Sequence, residues 1–238
     1  MLISNENSFL TQLFKNIDFY EGILSIWGDI GVGKTTLALQ IALNFSQQNE
    51  KVIFIYTKDE FPSLKFENLK SKMDKEKSNN IIFIKIEDFD DLLKYVLNLE
   101  FVLLDLKRVE NKNISQIQLI IIDSPFDLYS LKTDKTKKKK NVELNHKLNQ
   151  ILATLTHFNQ RFGINVIITN YETTIKENEN YYIKEKGGKV TEYWVPNTIQ
   201  ILRTENMSER ILLLKNRPQS IIYEINVKLN DSGFNEIK

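Results

Sequence analysis

The sequence contains no cysteine and only two histidines. Without cysteine the chain can form neither a disulfide framework nor a thiolate metal site, and this composition suits a reducing compartment. The histidines, His146 and His157, have no second ligand at metal-binding spacing, so we expect them to have surface or packing roles. No segment approaches the roughly 20 consecutive apolar residues that span a bilayer, and the opening residues do not resemble a signal sequence. We therefore expect a cytoplasmic protein without a membrane partner.

An excess of charge of one sign is also lacking, because 32 lysines and arginines balance 31 aspartates and glutamates. The net charge of +1 therefore gives no argument for a nucleic-acid partner. A local run of basic side chains does exist, at Lys135, Lys137, Lys138, Lys139 and Lys140. In a chain whose basic residues are mostly lysine, such a run is also expected in a solvated loop.

What the sequence does contain is a regular alternation of apolar segments. Its 238 residues, 42% of them hydrophobic, suffice for one well-buried α/β domain over 1–238 but not for two. Apolar periodicity predicts helices at 35–45, after Asp88 and at 145–162, and buried strands at 23–27, 52–56, 81–86, 119–123 and 165–169. The segment 101–106 fits either a strand or a helix end. With short alternating strands from 198 to 227, the pattern predicts a mostly parallel central sheet flanked by helices, with C-terminal antiparallel strands.

One stretch indicates a specific chemistry, because it fits G-x-x-x-x-G-K-[ST], the loop that holds the phosphates of a nucleoside triphosphate. It comprises Gly28, Asp29, Ile30, Gly31, Val32, Gly33, Lys34 and Thr35, and Thr36 extends the candidate binding residues. The predicted strand before it and helix after it are the setting that a P-loop requires. Backbone N–H groups and the helix start would attract phosphate, Lys34 would neutralise the β- and γ-phosphates of ATP, and Thr35 would ligate Mg²⁺.

A P-loop also needs a carboxylate at the end of a neighbouring strand, because Mg²⁺ prefers hard oxygen ligands and retains several waters. Asp123 follows four apolar residues, Leu119 to Ile122, and supplies this carboxylate. An aspartate after an apolar strand is also common as a plain turn or helix cap. In a chain that contains a P-loop, the interpretation as a metal ligand is favoured.

The order of these motifs resembles the RecA/RadA recombinase superfamily, and most closely its short archaeal RadB-like paralogues. The resemblance rests on Gly28 to Thr35, Ile122-Asp123-Ser124, Asp127-Leu128-Tyr129, Ile167-Ile168-Thr169-Asn170, Gly187-Gly188 and Arg217-Pro218. It implies a RecA-like P-loop ATPase core with ATP and Mg²⁺ as cofactors, and DNA and a RecA/RadA-type recombinase as partners. The sequence leaves the oligomeric state open, with a homo-oligomer as one alternative. Because the P-loop strand begins at Ile23, we expect the N-terminal helical DNA-binding domain of the full recombinases to be missing, which favours an accessory role.

Two departures from the family pattern concern hydrolysis. Where the family carries Asp-Thr-Glu-Gly, whose glutamate polarises the attacking water, an ungapped alignment places Lys58, which cannot accept a proton. Asp59 or Glu60 could replace that base if the turn is shifted, since a base needs only hydrogen-bond reach of the water. The family's γ-phosphate-sensing glutamine is Tyr171 here. Nucleotide binding is therefore better supported than turnover.

The resemblance places two DNA-facing loops, one after the Asp123 strand and one after Thr169. The lysine run falls in the first, where contacts with phosphate would be independent of sequence and sensitive to salt. The second, over 172–186, contains Tyr181 and Tyr182 among lysines and glutamates, a composition that suits stacking with single-stranded DNA. Both loops are candidate DNA-binding sites.

Three interpretations of function remain open. The first is a RadB-like accessory protein of homologous recombination and DNA repair that binds ATP and DNA and hydrolyses ATP weakly. The second is a KaiC-like P-loop regulatory ATPase or kinase without a DNA role. The third is a non-catalytic interaction subunit that ATP stabilises.

Overall fold

The computed structural model describes residues 9–15, 22–47, 50–71, 77–108, 117–134, 136–177, 179–216 and 220–237. The strands are β1 (Ile23–Gly28), β2 (Lys51–Tyr56), β3 (Ile81–Lys85), β4 (Ile117–Asp123), β5 (Asn165–Glu177), β6 (Asn180–Glu185), β7 (Asn197–Arg203), β8 (Glu209–Asn216), β9 (Ser220–Asn230) and β10 (Gly233–Glu236). The helices are α1 (Phe9–Lys15), α2 (Lys34–Ser46), α3 (Ser63–Lys70), α4 (Phe89–Arg108), α5 (Pro125–Lys132), α6 (Lys138–Phe162) and α7 (Gly188–Trp194).

One sheet organises these elements, with strand order β10-β9-β8-β7-β1-β5-β4-β2-β3. The pairs from β7 to β3 are parallel, whereas β7, β8, β9 and β10 pair antiparallel. The predicted fold class, a mostly parallel sheet with C-terminal antiparallel strands, is therefore confirmed. Since the carboxyl ends of β1, β4 and β5 meet at one edge, side chains that follow these strands are brought close together.

Two apolar layers cover the parallel strands, and β4 shows how one strand serves both. Leu119 and Ile121 belong to the cluster that includes α1 and α2, while Ile120 and Ile122 belong to the cluster that includes α4 and α6. All four side chains are fully buried, and each is worth about 1.5–3 kcal/mol relative to exposure. Burial on both faces explains why β4 is a continuous apolar run rather than an alternating one.

The helix boundaries follow local signals in the sequence. The Asp88 carboxylate accepts a hydrogen bond from the Asp90 amide at 2.7 Å at the start of α4. This helix continues to Arg108, so the segment 101–106 is a helix end and not a strand. At the other boundary, α6 ends at Gly163, whose φ of 67° places it in the left-handed conformation expected there.

Both predicted DNA-facing loops have regular structure, and the loop predictions are wrong. The run Lys138 to Lys140 forms the first turn of α6, with Lys137 as its N-cap. Lysine is a good helix former, so a run without apolar residues extends the helix beyond its amphipathic part. The predicted loop over 172–186 is largely a β-hairpin, in which β5 continues to Glu177 and pairs with β6. Lys135 and Arg217-Pro218 lie outside the described residues.

Among the helices of the described ranges, none is long and apolar enough to cross a bilayer.

Candidate nucleotide-binding site

The glycine loop connects the carboxyl end of β1 to the start of α2, at the centre of the parallel sheet. Gly28 has a φ of 149°, and a Cβ there would lie 2.5 Å from the Ile201 carbonyl oxygen of β7. Gly33 has a φ of 109°, and a Cβ there would lie 2.7 Å from the Phe234 ring. Both the backbone conformation and the close neighbours therefore require glycine at these two positions.

Lys34 points back into the loop. Its Nζ donates hydrogen bonds to the carbonyl oxygens of Gly28 at 3.0 Å and Asp29 at 2.7 Å, and it lies 4.3 Å from the centroid of the Tyr171 ring. Burial and, to a smaller extent, the charge of Lys58 lower the pKa of Lys34 to about 8, against the opposing effect of Asp123. A buried cation whose hydrogen-bond acceptors are neutral carbonyl oxygens gains from the arrival of an anion, which is what a triphosphate would supply.

Thr35 and Asp123 are brought together across the sheet. The Thr35 hydroxyl donates to Asp123 Oδ2 at 2.7 Å, and the Thr169 hydroxyl donates to Asp123 Oδ1. Thr169 lies on β5, the strand between β1 and β4, so the order of strands creates this contact. Asp123 is buried, with 2% exposure. A hydroxyl and a carboxylate oxygen so close together are hard ligands that fit Mg²⁺.

The Lys58 side chain contacts both the Thr35 hydroxyl and Asp123 Oδ2. Its Nζ donates to the Thr35 hydroxyl at 2.9 Å and lies 3.7 Å from Asp123 Oδ2. The sequence marked Lys58 as a departure from the family pattern but gave no signal of this contact, which depends on the pairing of β2 with β4. A positive charge of the chain itself therefore occupies the place where the candidate ligands converge.

The two carboxylates that could replace the family's catalytic glutamate differ in their position relative to the cleft. Asp59 and Glu60 are both exposed, and Asp59 borders the cleft next to the glycine loop, whereas Glu60 is not among its lining residues. The catalytic role of either carboxylate stays a prediction.

Tyr171 and Asp127 form a pair beside Lys34. The Tyr171 hydroxyl donates to Asp127 Oδ2 at 3.3 Å. Burial raises the pKa of Asp127, although the charge of Lys58 acts in the opposite direction. Burial also raises the pKa of Tyr171, and the neighbouring charges of Asp127 and Asp123 add to this effect, so the phenol remains a neutral donor. Tyr171 thus lies in the lining of the candidate site, at the position where the family pattern has a phosphate-sensing glutamine.

Sequence reasoning missed Arg203, which contacts the tip of the glycine loop. Its Nη2 donates to the Ile30 carbonyl oxygen at 2.6 Å, and its Nε donates to Asp29 Oδ2 at 3.3 Å. The pairing of Gly28 with Ile201 places Arg203, two residues further along β7, beside the loop. Since the two segments are far apart in the chain, only knowledge of the strand order could have predicted this contact.

An open cleft of about 770 Å³ lies against the glycine loop. It extends from Gly28 and Asp29 past Lys58 and Asp127 to Tyr171 and the base of the β5–β6 hairpin. This volume is within the range of about 300–1,000 Å³ of small-molecule sites. The cleft therefore offers room for a nucleotide next to Lys34 and Thr35.

The candidate DNA-binding residues that the structure describes are not among the lining residues of this cleft. Lys137 to Lys140 are exposed on the first turn of α6. Tyr181 and Tyr182 are 72% and 45% exposed on β6, and the Lys176 ammonium lies 5.8 Å from the Tyr181 ring. At the base of the hairpin, the Asn170 amide donates to Glu185 Oε1 at 2.8 Å and to the Lys186 carbonyl oxygen at 2.7 Å. The end of β6 is thus hydrogen-bonded to β5 at Asn170, the residue before Tyr171.

These contacts define a class. The chain is an α/β P-loop protein of the RecA type, in which the phosphate loop meets an acidic strand end at one edge of a mostly parallel sheet. The family model described as Rad51 matches residues 11–237, and the chain belongs to the Rad51 family. This match confirms the resemblance to the RecA/RadA superfamily. Proteins of the RecA/Rad51 family generally bind ATP with Mg²⁺.

This chain is similar to several curated relatives over most of its own length and of theirs. They include proteins named "DNA repair and recombination protein RadB" from three archaea. That of Methanosphaera stadtmanae is 24% identical over 208 residues, covering 85% of this chain and 84% of the relative. That of Methanobrevibacter smithii is 25% identical over 195 residues, covering 81% and 78%. That of Methanococcus maripaludis strain C7 is 28% identical over 195 residues, covering 82% of each. The likeness to RadB-like paralogues is confirmed.

Proposed function

We propose that this chain is an ATP-binding and DNA-binding accessory protein of homologous recombination and DNA repair, with weak ATP hydrolysis. The observation that carries the proposal is the convergence of Lys34, Thr35 and Asp123 at one edge of the sheet, in a chain that the Rad51 family model matches almost from end to end. The names of the RadB relatives support the assignment to recombination and repair. We also propose that residues 1–238 form a single RecA-like domain in the cytoplasm.

In this proposal, Lys34 neutralises the β- and γ-phosphates, while Thr35 and Asp123 hold Mg²⁺, which would polarise the phosphate oxygens. The glycine loop and the start of α2 supply backbone N–H groups to the phosphates. Hydrolysis is weak because Lys58 stands where a proton acceptor is needed, and Asp59, the alternative base that lines the cleft, is exposed to solvent. Binding, and not turnover, is the main property of the site.

DNA binding is assigned to the lysine run and to the hairpin tyrosines. The exposed ammonium groups of Lys137 to Lys140 would contact phosphates without sequence preference. Tyr181 and Tyr182 would stack with the bases of a single strand. A RecA/RadA-type recombinase is the proposed protein partner, and a second copy of the chain is a further one.

ATP binding is tested by thermal unfolding with and without Mg-ATP. At about 100 times the Kd, ATP should add about 2.7 kcal/mol to the free energy of unfolding, which corresponds to a rise in Tm of roughly 5–11 °C for a chain of this size. Lys34→Ala should abolish the rise, while the matched exposed variant Lys94→Ala should retain it. An unchanged rise in Lys34→Ala would show that the glycine loop is not the site. A single cooperative transition is expected from a single domain.

DNA binding is tested by filter binding to single-stranded DNA over a range of salt concentrations. We expect affinity that falls steeply as salt increases. ATP binding without any DNA binding would favour the alternative, a regulatory ATPase or kinase that acts on a protein.

A further inference from the structure

Lys58 reaches the phosphate site because its backbone is fixed beside Asp123. Tyr56, at the end of β2, pairs with Asp123 at the end of β4. The Thr57 amide then donates to the Asp123 carbonyl oxygen at 3.0 Å, and the Thr57 hydroxyl donates to the Ser124 carbonyl oxygen at 3.0 Å. These contacts leave Lys58 as the first exposed residue after β2, with its side chain directed back over the strand ends.

The Lys58 ammonium uses the oxygens that a metal would use. It lies 2.9 Å from the Thr35 hydroxyl oxygen and 3.7 Å from Asp123 Oδ2, and those two oxygens are 2.7 Å apart. Mg²⁺ bound to the same oxygens would sit at about 2.0–2.1 Å from each. Two cations so close together would repel each other strongly, so Lys58 and Mg²⁺ exclude each other from this position.

The charges around the site also favour an anion in contact with Lys58. The Lys34 and Lys58 ammonium groups lie near the same strand ends, where Lys58 is 3.7 Å from Asp123 Oδ2 and shares the cleft with a second carboxylate, Asp127. A polyanion placed between the two ammonium groups would relieve their repulsion. The Lys58 side chain is 42% exposed and lines the cleft, so it is accessible from the space that a triphosphate would fill.

We propose that the Lys58 ammonium is a tethered cation that substitutes for Mg²⁺ in the phosphate site. The chain then binds a nucleoside triphosphate without a divalent metal, and Mg²⁺ enters only when Lys58 is displaced from Thr35 and Asp123. The inference rests on the proposed ATP binding and adds that the Lys58 ammonium supplies the positive charge that Mg²⁺ would otherwise supply.

The experiment compares ATP affinity, measured by calorimetry, in excess Mg²⁺ and in EDTA. The unaltered protein should bind ATP in EDTA with an affinity within about threefold of that in Mg²⁺, since Lys58 supplies the missing charge. Lys58→Ala should bind normally in Mg²⁺ but lose affinity by about tenfold or more in EDTA. Lys58→Arg, which retains the charge, and Lys94→Ala, which removes a lysine from the exposed face of α4, should both behave as the unaltered protein does.

Other outcomes separate this inference from the proposed function. If the unaltered protein depends on Mg²⁺ as strongly as Lys58→Ala does, the inference is wrong and ATP binding stands. If Lys58→Ala loses affinity equally in Mg²⁺ and EDTA, Lys58 is an ordinary phosphate ligand, and the substitution for metal is again refuted. If the unaltered protein binds ATP in neither condition, the proposed function itself fails. Should Lys58→Ala not fold, as judged by thermal unfolding, Lys58→Gln provides the neutral side chain for the same comparison.

Discussion

Replacing Lys137, Lys138, Lys139 and Lys140 with alanine should weaken single-stranded DNA binding and leave ATP affinity nearly unchanged. All four side chains are exposed at the start of α6, and none of them lines the cleft beside the glycine loop. The substitution therefore removes charge from the candidate DNA-binding surface without altering the candidate phosphate site.

The geometry of the helix sets the size of the expected effect. Lys138, Lys139 and Lys140 lie in the first turn of α6 and are spaced by about 100° around its axis, so they cannot all face one strand. Lys137 is the N-cap and stands three residues before Lys140, which is the spacing of neighbours on a helix surface. Two contacts are thus expected, and their loss should reduce the slope of log K against log[salt] by about 1.4, at about 0.7 per phosphate of a single strand.

Helix stability provides a check on this interpretation. Lysines in the first turn interact unfavourably with the positive end of the helix dipole, and the Lys137 ammonium lies 3.9 Å from Asp134 as its only compensation among the described ion pairs. Alanine at these positions should not lower Tm, so weaker DNA binding could not be attributed to unfolding. Lys65→Ala with Lys70→Ala, on α3, removes two charges from another helix, as many as a double variant of the lysine run, and should leave the slope unchanged.

The assay is filter binding between about 50 and 200 mM salt, the range in which phosphate contacts change affinity most visibly. The double variant Lys137→Ala with Lys140→Ala should reproduce most of the effect, and Lys138→Ala with Lys139→Ala much less. If the quadruple variant has both the affinity and the slope of the unaltered protein, the run is a solvated helix start and the reasoning is refuted.

Two further predictions concern the hydrolytic site and the hairpin. Lys58→Glu should raise the rate of phosphate release, because it restores a proton acceptor near Thr35. Lys58→Ala should not raise it. Equal rates in the two variants would show that the lack of a proton acceptor at position 58 does not limit hydrolysis. Replacing Tyr181 and Tyr182 with alanine should weaken single-stranded DNA binding by about 1–3 kcal/mol per stacked base. Phenylalanine at both positions should preserve binding, and an alanine variant that binds normally would exclude stacking.

The buried strands and the P-loop were predictable because short-range patterns determine them. Four apolar residues before Asp123 indicate a strand that is buried on both faces, and the glycine spacing between Gly28 and Gly33 indicates a phosphate loop whatever the rest of the chain does. The C-terminal antiparallel strands were predictable for the same reason, since alternating residues without intervening helices leave few other arrangements.

The conformation of the two candidate DNA-binding segments was not predicted correctly, because their polar composition is typical of loops whereas the segments form a helix start and a hairpin. A run of lysines suggests a solvated loop, but Asn141 and Asp134 join the start of α6 to the preceding turn, with the Asn141 amide donating to the Asp134 carbonyl oxygen at 2.7 Å. In the second segment, glutamates and lysines obscured the β-forming residues Ile175 and Tyr182, which pair across the hairpin.

The contacts of Lys58 and Arg203 could not be predicted from local sequence at all. Each arises where a residue just beyond a strand, or at its end, contacts the glycine loop or the candidate metal ligands from a different part of the chain. Such contacts depend on strand order and register, which cannot be read from the local sequence.

The central claim is that the chain binds ATP at the glycine loop and turns it over slowly. The most direct test is phosphate release at an ATP concentration that saturates the thermal shift, measured with and without single-stranded DNA. The account predicts turnover below about 1 s⁻¹, with little stimulation by DNA. Fast turnover that DNA stimulates would contradict it, and would indicate that Asp59 or Glu60 acts as a base despite Lys58.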